Sequence, residues 1–97
     1  MLFAVICKDK PGEGLARRMA TRPAHLAFLQ DLGEKVKCAG GLLAPDNGEP
    51  RGSLLIIEAD GLDAAKALAA ADPYAGADVF DSVEVIQWRP ALGPFQL

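Results

Sequence analysis

Ala44-Pro45-Asp46-Asn47-Gly48-Glu49-Pro50, followed closely by Ser53-Leu54-Leu55-Ile56-Ile57, is the stretch on which the fold turns. The first seven residues are crowded with turn formers, and the run after them, apolar beyond Ser53, predicts a strand buried on both faces. Upstream of the loop, Val36 and Cys38 alternate with Lys35 and Lys37 and lead into Gly40-Gly41. That alternation predicts a half-exposed edge strand, so the loop closes a β-hairpin at the centre of the chain.

Working outward, residues 2–8 are almost wholly apolar and stop at Asp9-Lys10-Pro11-Gly12, which predicts a first buried strand and a turn. Glu13 to Ala20 has helical composition, but Pro23 disfavours the α region at Arg22. The expectation is a short helical turn, then a main helix with Thr21 as N-cap and Gly33 as C-cap. On that helix His25, Phe28, Leu29 and Leu32 recur at one-face spacing, so the imidazole points inward. Downstream of the hairpin, Asp60 offers an N-cap to an alanine-rich helix from Leu62 to Ala71, and Pro73 closes it. Ser82 to Trp88 reads as a last strand, ended by Pro90 ahead of a tail, residues 90–97, that carries Phe95 and Leu97.

The order β-α-β-β-α-β is the ferredoxin-like α+β arrangement, a four-stranded antiparallel sheet with both helices on one face. A chain of 97 residues makes this a single domain over residues 1–97. The expected strand order 4-1-3-2 separates Cys7 from Cys38, which disfavours a disulfide and leaves two buried free thiols. Two strands are apolar at nearly every position, yet helices cover only one side of the sheet. The uncovered face is therefore expected to stack on a second copy, giving a homodimer.

With 51% hydrophobic and 24% charged residues, the composition is that of a soluble globular domain rather than a disordered one. The net charge of −3 removes the positive field that sequence-independent nucleic-acid binding requires. Arg17-Arg18 and Lys35/Lys37 are read as solvated faces. No run of about 18 apolar residues is present and the N-terminus lacks the basic start of a signal peptide, so no membrane association and a cytoplasmic location are expected. One histidine and scattered acids argue against a catalytic metal site.

The chemistry-bearing residues are His25, the only histidine, in Arg22-Pro23-Ala24-His25-Leu26, and Asp72 in Ala71-Asp72-Pro73-Tyr74. In the first turn of a helix, the positive end of the dipole and Arg22 disfavour an added proton, which suits a general base. Asp72, projected from the bend at Pro73, could hold one tautomer of the ring and stabilise the imidazolium as it forms. Spacing alone leaves two alternatives open: a packed core histidine, and an Asp-Pro that merely finishes a helix. Arg22 is a candidate for binding an anionic group or a surface residue, and Tyr74 an active hydroxyl or a half-buried packing residue. Ser53 is a polar lining residue, and Gly40 allows close backbone approach to a ligand or forms a bulge.

Arg22-Pro23-Ala24-His25, Ala39-Gly40-Gly41-Leu42, Glu58-Ala59-Asp60, Ala71-Asp72-Pro73-Tyr74 and Val83-Glu84-Val85-Ile86-Gln87-Trp88 together resemble the YciI-like (YCII) family over nearly the whole chain. The resemblance implies a dimeric ferredoxin-like protein related to muconolactone isomerase, with a His/Asp site at His25 and Asp72 in a cleft beside the dimer interface. It also implies no metal or organic cofactor, and proton abstraction, isomerisation or elimination on a small acidic cyclic compound, as in the family's dehydrochlorinase. The chain departs from the common family pattern after Tyr74, where Asp78 stands in a segment often more apolar and is expected to alter the pocket rim. Two functions follow as expectations. One is a cofactor-free lyase or isomerase in which His25 moves the proton, Asp72 orients it, and Arg22, Ser53 and Tyr74 hold the small molecule. The other is a dimeric module that binds a small ligand or a protein without turnover.

Overall fold

The computed structural model describes residues 1–93. The elements are β1 (Leu2–Asp9), α1 (Glu13–Leu32), a 3-10 turn at Gly33–Lys35, β2 (Val36–Leu43), β3 (Pro50–Glu58), α2 (Leu62–Ala70), α3 (Pro73–Gly76) and β4 (Phe80–Trp88). The strands form one antiparallel sheet in the order β2-β3-β1-β4. This is the ferredoxin-like arrangement expected from the hairpin and its flanking helices.

Register decides which side chains meet the helices. Val5 lies opposite Leu55 on one side and Val85 on the other, and alternation along the strands puts Phe3, Val5, Cys7, Leu55 and Ile57 on one face. These residues and Ala65 of α2 form the buried core. The small Ala65 side chain, fully buried, allows α2 to dock closely. Gly52 is required where β3 passes β1, because a Cβ there would collide with the Cys7 carbonyl oxygen. On the opposite face lie Ala4, Ile6, Leu54, Ile56 and Ile86, with Leu54 and Ile86 exposed.

Four expectations are corrected. The segment from Glu13 to Leu32 is one continuous helix with Pro23 inside it, and Thr21 is a helical residue rather than a cap. Pro23 removes a backbone hydrogen bond, but the buried residues of α1, Gly14, Arg18 and His25, lie on both sides of it and anchor the helix to the rest of the molecule. At α2 the cap position is Gly61 rather than Asp60, entered through an extended backbone with no side-chain hydrogen bond. β4 begins at Phe80, since pairing with Asp9 continues past an irregularity in β1. Cys7 is buried as expected, whereas Cys38, on the edge strand β2, is exposed. Gly33 does end α1, at φ 57° with its N–H donating to the Gln30 carbonyl. Among the described residues no helix is long and apolar enough to cross a membrane. Phe95 and Leu97 lie outside the described residues.

Candidate active site

Because α1 is continuous, Arg18, Arg22 and His25 fall at i, i+4 and i+7 and share one stripe of the helix. His25 therefore sits past the middle of α1, not in a first turn, and the expected influence of the dipole's positive end does not apply to it. Asp72 is also placed differently from expectation. α2 ends at Ala70 with Ala71 as its cap, and Asp72 becomes the N-cap of α3, with Pro73 at the first helical position. Its Oδ1 accepts the Tyr74 N–H at 2.9 Å. A carboxylate expected to sit against the end of one helix instead caps the start of the next.

These placements bring the two residues together. His25 Nδ1 lies 2.8 Å from Asp72 Oδ1, with both side chains buried. A carboxylate offers only acceptors, so Nδ1 carries the hydrogen and Nε2 of the neutral ring keeps the lone pair. Tyr74 is 2% exposed, and its ring is stacked on the imidazole at 4.0 Å between centroids and 13° between planes. Burial pushes the Tyr74 phenol above its ordinary range, with the Arg18 and Arg22 guanidinia pulling the other way. The phenol is thus a donor rather than a base at neutral pH.

Arg18 is the residue that sequence reasoning missed. Expected on a solvated face, it is 5% exposed. Its Nε and Nη2 donate to the two Asp9 carboxylate oxygens at 2.7 and 2.8 Å, and Nη2 also donates to Ser53 Oγ at 2.9 Å. Its guanidinium carbon stands 4.5 Å from the Tyr74 ring centroid. Burial works against its charge, but the hydrogen bonds and attraction to Asp9 outweigh this and hold the guanidinium charged. The i, i+7 spacing to His25 was available in the sequence, but a helix broken at Pro23 hides it. Arg17, by contrast, lies on the surface and pairs with Glu13 and Asp78.

A cleft of about 260 Å³ opens between α1 and the β2–β3 hairpin. Arg18, His25, Ser53 and Tyr74 contribute its polar side, and Arg22 stands at it as an exposed cation. The cleft has room because the middle of β2 carries only the small residues Ala39, Gly40 and Gly41, with Leu43 further along, and no atom lies within 4 Å of where a Cβ on Gly40 would stand. All six residues expected at the site are thereby accounted for, five lining the cleft and Asp72 behind His25. Asp78 is not among the lining residues. At φ 61° it receives Lys10 Nζ at 2.6 Å and Arg17 Nη1 at 3.2 Å, tying the β1–α1 turn to the α3–β4 turn. The expected effect on the pocket rim is replaced by this surface tie.

Residues 1–89 match the model of the YCII-related domain. Protein YciI of Escherichia coli is 40% identical over 92 residues, covering 88% of this chain and 93% of the relative. The 5-chloro-2-hydroxyhydroquinone dehydrochlorinase TftG of Burkholderia phenoliruptrix, solved with 2,5-dihydroxybenzoquinone, superposes with a TM-score of 0.85 at 34% identity, covering 92% of this chain and 94% of that one. A NIPSNAP family protein of Agrobacterium tumefaciens shares the fold alone, with a TM-score of 0.56 at 15% identity and coverage of 98% and 97%.

Proposed function

The chain belongs to the YCII-related domain family, and from that premise we propose that it is a small enzyme in which His25 and Asp72 carry out proton transfer on a small acidic cyclic or aromatic compound. The observation that carries this reading is the buried 2.8 Å contact between His25 Nδ1 and Asp72 Oδ1, with His25 on the wall of an open cleft. The likeness to a dehydrochlorinase supports the chemical class.

In the proposed step, Nε2 of His25 takes a proton from a hydroxyl or an activated C–H of the bound compound. The electron pair left behind forms a new double bond. In elimination it expels an anionic leaving group such as chloride, which departs with its own bonding pair. In isomerisation the proton returns from His25 to another carbon. Asp72 stabilises the imidazolium while it holds the proton, and a positioned base of this kind contributes ~10²–10⁴-fold. Arg22 attracts the developing anion, the Tyr74 hydroxyl donates to it, and Ser53 and the Gly40 backbone shape the floor and wall. The same proposal includes a homodimer formed through the sheet face that carries Ile6, Leu54 and Ile86.

The test is a turnover screen of small lactones and of halogenated or hydroxylated aromatics, with His25→Ala as control. Turnover that falls at least a hundredfold in the variant is expected. Turnover equal to that of the wild type would remove His25 from the reaction. Saturable binding without conversion across the panel would instead favour a module that holds a ligand without reacting with it.

A further inference from the structure

Two arginines face the same cleft in different electrostatic situations. Arg18 is buried and its charge is already matched by the two oxygens of Asp9. Arg22 is exposed, and among the described residues no ion pair or hydrogen bond engages it. The imidazole is stacked on the Tyr74 ring, and the Arg18 guanidinium carbon lies over the same ring, 4.5 Å from its centroid, so the phenol touches both. The result is a chain of contacts from guanidinium through phenol to imidazole. Asp9 and Ser53 clamp its Arg18 end, Asp72 holds its His25 end, and the Phe80 ring meets Tyr74 edge-on at 6.0 Å.

The geometry points to Arg18 as a positioning residue: clamped by Asp9 and Ser53, it holds in place the Tyr74 ring on which His25 is stacked and so fixes the imidazole plane, while binding of the anionic group falls to Arg22. The inference rests on the proton-transfer reading only for its kinetic consequence, because the positioning itself needs no reaction. Asp9 does not line the cleft, yet its loss frees Arg18 and should disturb His25 two side chains away.

The experiment compares Asp9→Asn, Arg18→Met and Arg22→Met in the full chain. The readout is the NMR shift of the His25 ring protons, which stacking on Tyr74 moves upfield, with the amide spectrum as a check on folding. A smaller upfield shift is expected in Asp9→Asn and Arg18→Met, and no change in Arg22→Met. Where Arg18→Met fails to fold, Asp9→Asn and Ser53→Ala decide. Unchanged His25 shifts in folded Asp9→Asn and Ser53→Ala would overturn the proposal. If the screen yields a convertible compound, Asp9→Asn lowers kcat by roughly tenfold to a hundredfold with little change in KM, and Arg22→Met chiefly raises KM. The reverse split would assign Arg18 to binding and overturn the positioning role. Absence of turnover would count against the enzymatic reading and leave the ring-shift result to decide this one.

Discussion

Asp72 accepts two donors through one oxygen, the His25 ring at 2.8 Å and the Tyr74 amide at 2.9 Å. Its cap and its proposed catalytic role are therefore separable by substitution. Asp72→Asn keeps a capping carbonyl but loses the charge that favours imidazolium, whereas Asp72→Ala loses both. Activity is expected to fall by a similar ~10²–10⁴-fold in the two variants. Denaturant unfolding is expected to find Asp72→Ala less stable than Asp72→Asn by about 1 kcal/mol. Beneath the site, burial, reinforced by Asp72 and Asp9 against Arg18, pushes the Cys7 thiol from 9.0 up to about 12. Both states hold the proton below pH 9.0. Between pH 9.0 and about 12 only the unfolded chain ionises, so this group's share of stability is lost as the pH rises through that window. At pH 8 a thiol reagent is expected to modify Cys38 and spare Cys7 until the chain is unfolded, and labelling of native Cys7 would contradict its burial. His25 and Asp72 could be named as candidates from residue type and the family resemblance, although both sit at other places in their helices than expected. Arg18 could not, because an arginine beside another arginine looks like solvated surface until Asp9 and Ser53 are seen to converge on it.

Helix α1 is where local rules and tertiary anchoring disagree most. Pro23 speaks for a boundary, and the sequence taken locally divides the segment there. Long-range contacts, Arg18 to Asp9 and Ser53 before the proline and His25 to Asp72 after it, outweigh the missing hydrogen bond. Continuity also creates the site, since it sets Arg18, Arg22 and His25 on one stripe. Pro23→Ala restores the N–H and relieves the clash with the preceding turn, so it is expected to raise stability by ~1–3 kcal/mol. A thermal melt checks this, and a lower melting temperature would mean that the local backbone set by Pro23 is needed to aim Arg18 and His25. The strands were easier to read. Two-faced apolar runs at Leu2–Cys7 and Leu54–Ile57 have no stable placement except the two central strands, which they occupy. The α2–α3 corner was harder, because a four-residue helix carries too little periodicity to separate it from the turn that precedes it.

At the scale of the whole molecule, the helices cover one face of the sheet and leave Ile6, Leu54 and Ile86 on the other, with Ile86 48% exposed. Sheet-on-sheet stacking of two copies would bury this face. Sedimentation at micromolar concentration is expected to show a dimer, and Ile86→Lys a folded monomer, since a charge at a buried apolar interface has no partner. A wild-type monomer would contradict the stacked arrangement. The proposed proton transfer rests on one atom, Nε2 of His25, left with its lone pair because Nδ1 carries the hydrogen and donates it to Asp72 Oδ1. Since His25 is the only histidine, the most direct measurement is the nitrogen-15 NMR of its side chain at a pH where the ring is neutral. The account predicts a protonated Nδ1 and an unprotonated Nε2, with that preference lost in Asp72→Ala. A neutral ring protonated at Nε2 in the wild-type protein would contradict it.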